Sequence, residues 1–239
     1  MADKKVKEVT PVAVTEVEEV NPGLETVKGF WEKNKKIISG LSTAIIVIVG
    51  GWYLYKNYVQ IPNEEKASDA MFQAEKYYRI DSLDLALNGD GQTKGFLNVI
   101  SNYGGTKSGN LAHYYAGIIY LKKQDFTKAI EHLKDFSTPS KQIQMIAYGR
   151  LADAYSEAGK KEEAVDYYKK ASTQFTDDEG NSSEFLFRAG LLLETMNKNN
   201  EALEVYKQIK EKYPKTQVGF SVDKYINKLS VEKNEFSVK

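Results

Sequence analysis

Few residues in this chain are of a type and spacing that could do chemistry. There are two histidines, His113 and His132, and neither lies in the His-Glu-x-x-His or His-x-His patterns that gather a metal on one face of an element. His113 stands where Tyr148 and Leu186 stand in the repeats described below, so it reads as a packing residue. Asp81, Asp84, Asn88 and Asp90 crowd four oxygen-bearing side chains into one stretch. The ligand order of a calcium loop and its closing bidentate Glu are missing there, so a solvated turn is expected. The same reading holds for Asp177-Asp178-Glu179-Gly180. Asp81-Ser82-Leu83 matches the Asp-Ser/Thr-aliphatic signal for O-glycosylation, a pattern short enough to arise by chance. No GxxxxGK[ST], GxGxxG or GxSxG occurs, so the phosphate cradle, the dinucleotide fingerprint and the nucleophile elbow are all missing. Zero cysteines exclude disulfides, thiol redox chemistry and thiolate metal sites, and suit an oxidising exterior. The expectation is a non-enzyme with no cofactor, no metal and no small-molecule substrate.

Two kinds of element must then position whatever surface is functional. The first is a membrane segment. Residues 37–55 carry no charge and are mostly Ile, Val, Leu, Ala and Gly. A helix of that length reaches about 28 Å, close to the hydrocarbon thickness of a bilayer. Phe30 and Trp31 precede it and Trp52, Tyr53 and Tyr55 close it, as amphipathic rings do at headgroup level. The run starts too far in and lacks a small-x-small site after it, so an uncleaved anchor spanning 37–58 is expected. Lys28, Lys33, Lys35 and Lys36 before the span outweigh Lys56 after it. Positive charge stays cytoplasmic, which places the N-terminus inside and the following domain outside. Residues 1–23, rich in Val, Thr, Glu and Lys, read as a disordered cytoplasmic tail. Residues 24–36 read as a short amphipathic helix on the membrane surface, with Val27, Phe30 and Trp31 on one face. Gly40 and Ala44 offer small-x-x-x-small spacing for a second helix, on a single pair.

The second kind is a helical repeat. Pro62 should break or kink the helix, with Asn63, Glu64 and Glu65 as cap and first turn of the next. Residues 63–239 then show helical periodicity and no sustained alternation, which predicts an all-α domain. Ala129, Ala164 and Ala202 align in FTKAIEHL, KEEAVDYY and NEALEVY, near the 34-residue tetratricopeptide (TPR) period. Twelve residues before each come Gly117, Ala152 and Gly190, then Tyr120, Tyr155 and Leu193; four after each come Leu133, Tyr168 and Tyr206. Small residues let paired helices approach and aromatics fill the rest of the interface. Upstream, residues 83–102 fit a degraded unit aligned on Gly95, and Val218, Val222, Tyr225, Ile226 and Leu229 predict a C-terminal capping helix. First-helix positions facing the hollow of such an array include Tyr114, Ile118, Leu121, Gly149, Asp153, Ser156, Phe187 and Leu191. Of these, Tyr114, Ile118, Leu121, Phe187 and Leu191 are the candidate partner-binding residues, able to grip an apolar segment. They lack the basic and Asn residues that would clamp a C-terminal carboxylate. Seven charges of each sign precede Lys56, leaving 26 of each after it. A balanced domain gives no basic face for nucleic acid.

VKGFWEKNKK before the span and GWYLY at its end, followed by a TPR domain, resemble the YfgM-like family of ancillary Sec translocon subunits. The stretch DSLDLALNGDGQTKGFLNVISNYGG departs from that pattern. The resemblance implies a single-pass inner-membrane protein with a periplasmic domain. It implies a place beside the translocon, with periplasmic chaperones or emerging polypeptides as partners. The alternative is a structural docking subunit of another envelope secretion or outer-membrane assembly machine.

Overall fold

A computed structural model of the chain describes residues 22–236, with the side chains of residues 27–231. The chain divides into two compact units, Met1–Lys56 and Asn57–Lys239.

In the first unit α1 (Pro22–Tyr55) is a single helix of 34 residues. At about 1.5 Å per residue it is about 51 Å long, well beyond a bilayer's hydrocarbon core. It is long and apolar enough to cross a membrane, and none of its apolar stretch is buried. No helix break marks the boundary expected at residue 36: the turns carrying Phe30 and Trp31 belong to the same helix as the apolar run. Of the expected tail, residues 1–21 lie outside the described residues, and Pro22 and Gly23 open α1. Inside the apolar run Ser42 and Thr43 donate to the carbonyls of Ile38 and Ser39 four residues back, which satisfies the hydroxyls within the helix.

Where a break or kink is expected at Pro62, the hydrogen-bond register changes. Lys56–Gln60 forms a π-helical turn, and α2 (Ile61–Arg79) follows it directly. Pro62 falls in the first turn of α2, where a missing N–H costs least. The remaining helices are α3 (Leu83–Asn88), α4 (Phe96–Tyr103), α5 (Lys107–Lys122), α6 (Phe126–Asp135), α7 (Lys141–Glu157), α8 (Lys161–Gln174), α9 (Glu179–Thr195), α10 (Asn199–Lys212), α11 (Gln217–Ser221) and α12 (Asp223–Phe236). From α5 to α10 each packs mainly on its sequence neighbours, as a solenoid requires, while α2 also reaches α4 and α5 and α12 lies on α10. Among the described residues there is no strand, only an isolated bridge between Gly89 and Lys94.

Helices α5 and α6, α7 and α8, and α9 and α10 form the three expected pairs. Ala129, Ala164 and Ala202 are fully buried. The small residues of the first helices face the bulky ones four past each alanine. A methyl group on Gly117 would stand 2.6 Å from Leu133 Cγ, and one on Gly190 would stand 2.3 Å from Tyr206 Cε1. Every pair also turns the same way. The N–H groups of Asp125, Lys160 and Lys198 donate to the carbonyls of Tyr120, Tyr155 and Leu193, across Gln124, Gly159 and Asn197 held at φ +62°, +74° and +58°.

That turn occurs a fourth time, and it corrects the first unit. Ser82 N–H donates to Tyr77 O across Asp81 at φ +56°, so α2 is a first helix and α3 starts its partner. The buried alanine of this unit is Ala86, not the neighbourhood of Gly95. The second helix is simply split into α3 and α4 by residues 89–95. Asp90 organises the insertion: its carboxylate accepts from the N–H groups of Gln92 and Thr93, from Thr93 Oγ1 and from Tyr77 Oη at 2.6–2.9 Å. This is the solvated turn expected from the sequence, with oxygen atoms occupied by donors.

At the other end α11 and α12 cover α10, with Val222 and Leu229 buried. Thr216 caps α11 through Gly219 N–H and bonds back to Tyr213 O, as Thr106 caps α5 through Gly109 N–H and bonds back to Tyr103 O. The cap is thus built as one more first helix, without a partner among the described residues.

Candidate functional site

The repeat domain holds an open cleft of about 810 Å³. The end of α5 and the following turn supply Leu121, Lys122, Gln124 and Phe126. Helix α7 supplies Asp153, Ser156 and Glu157, α8 supplies Tyr168 and α9 supplies Arg188. The repeat geometry puts them together. Asp153 follows Ala152, whose small side chain lets α8 come close, and Tyr168 lies four past Ala164 on that neighbour.

Asp153 is the hub, its side chain only 17% exposed. Its Oδ1 accepts from Tyr168 Oη at 2.6 Å and from Arg188 Nη1 at 3.1 Å, and its Oδ2 accepts from Arg150 Nη1 at 3.2 Å. Arg188 also donates from Nε to Glu184 Oε1 at 3.0 Å. Burial, then the bond to Asp153, pushes the Tyr168 phenol far above its ordinary range. Burial pulls Arg188 down, but Glu184 and Asp153 outweigh it and leave the guanidinium more firmly protonated than usual. The floor of the cleft is therefore a fixed polar network with its charges matched. Lys122, Gln124, Ser156 and Glu157 stand around it, with Leu121 and Phe126 as apolar edges. Such a surface can hold a polypeptide by backbone hydrogen bonds and an apolar contact. It offers no activated nucleophile and no gathered metal ligands.

Of the five candidate partner-binding residues, the structure places only Leu121 in this cleft. Tyr114 is half-buried, its ring centroid 5.1 Å from Phe136 at the end of α6. Ile118 is half-buried against the core. Phe187 packs its ring 5.0 Å from Tyr225 of α12 and 5.9 Å from Tyr206. Leu191 is 37% exposed on α9. Gly149, counted among inward positions, is covered: a methyl group there would stand 2.3 Å from Phe185 Cε1. Position counting found Leu121, Asp153 and Ser156; it missed Arg188, Tyr168 and the rest of the α5–α6 turn. Arg188 one residue after Phe187 was the available signal, a long cation beside the inward row.

On α1 the membrane-interface candidates Phe30, Trp31, Trp52, Tyr53 and Tyr55 are all exposed, and Lys56 Nζ lies 5.0 Å from the Trp52 ring centre. The two histidines meet: His113 Nδ1 of α5 and His132 Nδ1 of α6 are 3.2 Å apart, and His132 stacks on Tyr120 with centroids at 5.4 Å. Burial first, and for His132 its neighbour second, lowers the basicity of both rings.

No curated protein matches the chain. Residues 28–229, the apolar helix and the repeats together, match the family described as "Tetratricopeptide repeat-like domain". A chain with these helix pairs, this match and one helix able to cross a membrane belongs to the tetratricopeptide repeat-like domain family.

Proposed function

We propose that this protein is a single-pass interaction subunit of the inner membrane, its repeat domain on the periplasmic side beside the Sec translocon. There it holds a chaperone or an emerging polypeptide. Membership of a repeat family whose folds serve as non-catalytic interaction scaffolds supports a protein partner. The resemblance of 27–36 and 51–55 to the YfgM-like family, together with the lysine asymmetry around the span, supports the location. The observation that carries the binding reading is the cleft around Asp153. Its charges are already neutralised and held, so an extended segment can lie across it without first breaking an ion pair. Leu121, with Phe126, is the apolar contact in the cleft, and the exposed Leu191 on α9 is a further apolar contact outside it.

Site-specific photo-crosslinking in the membrane tests this. A photoreactive residue at Ser156 or Leu121 should yield adducts with translocon subunits, chaperones or nascent chains. One at Gln208, outside the cleft on α10, should not. Equal adducts at both, or none at the cleft, overturn the reading. Adducts from the span alone would favour a docking subunit of another envelope machine.

A further inference from the structure

We propose that His113 and His132, joined by Asp135, form a binding site for one divalent transition ion of the zinc class that clamps α5 to α6. The geometry carries it. Two imidazole nitrogens at about 2.0–2.1 Å from a zinc ion, subtending about 100–110°, stand about 3.2–3.4 Å from each other. The two Nδ1 atoms are 3.2 Å apart, which is that separation and the long end of the range for a hydrogen bond between them. They approach from different helices, so an ion between them cross-links the hairpin.

The ring of His132 is held by its stack on Tyr120, and both histidines are half-buried, so the pair is fixed before any ion arrives. Fixed ligands lose little freedom on binding. The third donor is Asp135. It lies three residues after His132 on the same face of α6, with Oδ2 3.9 Å from His113 Nδ1. Its carboxylate is 61% exposed and swings without disturbing the core. Among the described residues no three such groups already meet at one point, so the carboxylate must close by rotation, and water fills the fourth position. Imidazole with carboxylate suits Zn²⁺, Ni²⁺ and Cu²⁺ rather than Ca²⁺ or Mg²⁺.

The chain has only these two histidines, which makes the test direct. Full-length protein in detergent, carrying a histidine-free tag and ¹⁵N-labelled at histidine, is titrated with Zn²⁺. One equivalent should saturate the site and move the Nδ1 resonances of both rings together. Isothermal titration should find the affinity at least tenfold weaker in His132→Gln and reduced in Asp135→Asn, a surface change that leaves the fold intact. Zinc that leaves the ring resonances unmoved, shifts one ring only, or binds Asp135→Asn and His132→Gln as tightly as the wild type overturns the proposal. If His132→Gln does not fold, the ring resonances of the wild type still decide it.

Discussion

The start of α5 is capped by a side chain from another helix. Glu64 of α2 accepts from the N–H groups of Lys107 and Ser108 and from Ser108 Oγ at 2.7–2.9 Å. An anion at the positive end of a helix meets donors that no carbonyl can satisfy. Burial pushes the Glu64 carboxyl up, but those three bonds outweigh it and hold it below its ordinary value of 4.5. A carboxylate with a depressed folded pKa stabilises above its unfolded pKa and loses that contribution as the pH falls. Glu64→Gln should therefore cost about 1 kcal/mol at pH 7, as cap losses do, read from the melting of the full chain in detergent. The gap from wild type should close as the pH falls below about 4.5; a gap constant with pH would mean the charge does nothing. In the sequence Glu64 reads as the first turn of its own helix, because a contact spanning 43 residues is invisible until the fold is known. The crossing glycines were legible, since only their spacing was needed. Gly190→Ala puts a methyl into the Tyr206 ring, and overpacking of that kind costs about 1–3 kcal/mol. An unshifted melting midpoint would remove Gly190 from the crossing.

Among elements, the split second helix of the first unit separates what the sequence displays from what it hides. Three units were readable because Ala129, Ala164 and Ala202 keep a nearly constant interval. The first was not, because seven inserted residues, 89–95, push α4 out of register and leave Ala86 without its expected partners in the pattern. The turn at Asp81, the fourth of its kind, is what reveals the unit. At Pro62 the sequence leaves break or kink open for a related reason: proline ends helices only where its neighbours cannot adjust, and a π turn lets them adjust. The insertion closes by backbone contact. A methyl on Gly95 would stand 2.3 Å from Leu87 O and 2.5 Å from Gly89 N, atoms that cannot yield without opening the loop. Gly95→Ala should thus expose α3 and α4 to hydrogen exchange while α7–α10 stay protected, because stability in a solenoid passes only between neighbours. Uniform loss of protection would show that the array folds as a single cooperative block. Ala164→Leu, buried in the middle pair, should instead destabilise the repeats on both sides of it, by about 1–3 kcal/mol, and lower the melting midpoint.

For the whole molecule, the plan of an apolar helix followed by a helical-repeat domain is legible in composition alone, since a span and an amphipathic repeat bury their apolar surface in different ways. The cleft was half legible: Leu121, Asp153 and Ser156 follow from position counting, whereas Gln124 and Phe126 come from the α5–α6 turn, whose placement depends on how successive pairs stack. In the proposed reading, the side of the membrane that the cleft faces rests on the lysines at 28, 33, 35 and 36 alone, and the absence of cysteine makes this testable without background. Single cysteines at Thr15 and at Ser156 are introduced into the otherwise cysteine-free chain, and intact spheroplasts are treated with a membrane-impermeant maleimide. Ser156→Cys should label at once, because the cleft is open to solvent, while Thr15→Cys should label only after detergent is added. The reverse pattern would put the repeat domain in the cytoplasm, and the translocon-side reading would fall with it. Replacing the four lysines by glutamate should reverse the labelling if they set the orientation, since the bias that retains the N-terminal side is carried by Lys and Arg and not by net charge. Unchanged labelling in that variant would shift the cause to the folding of the repeat domain.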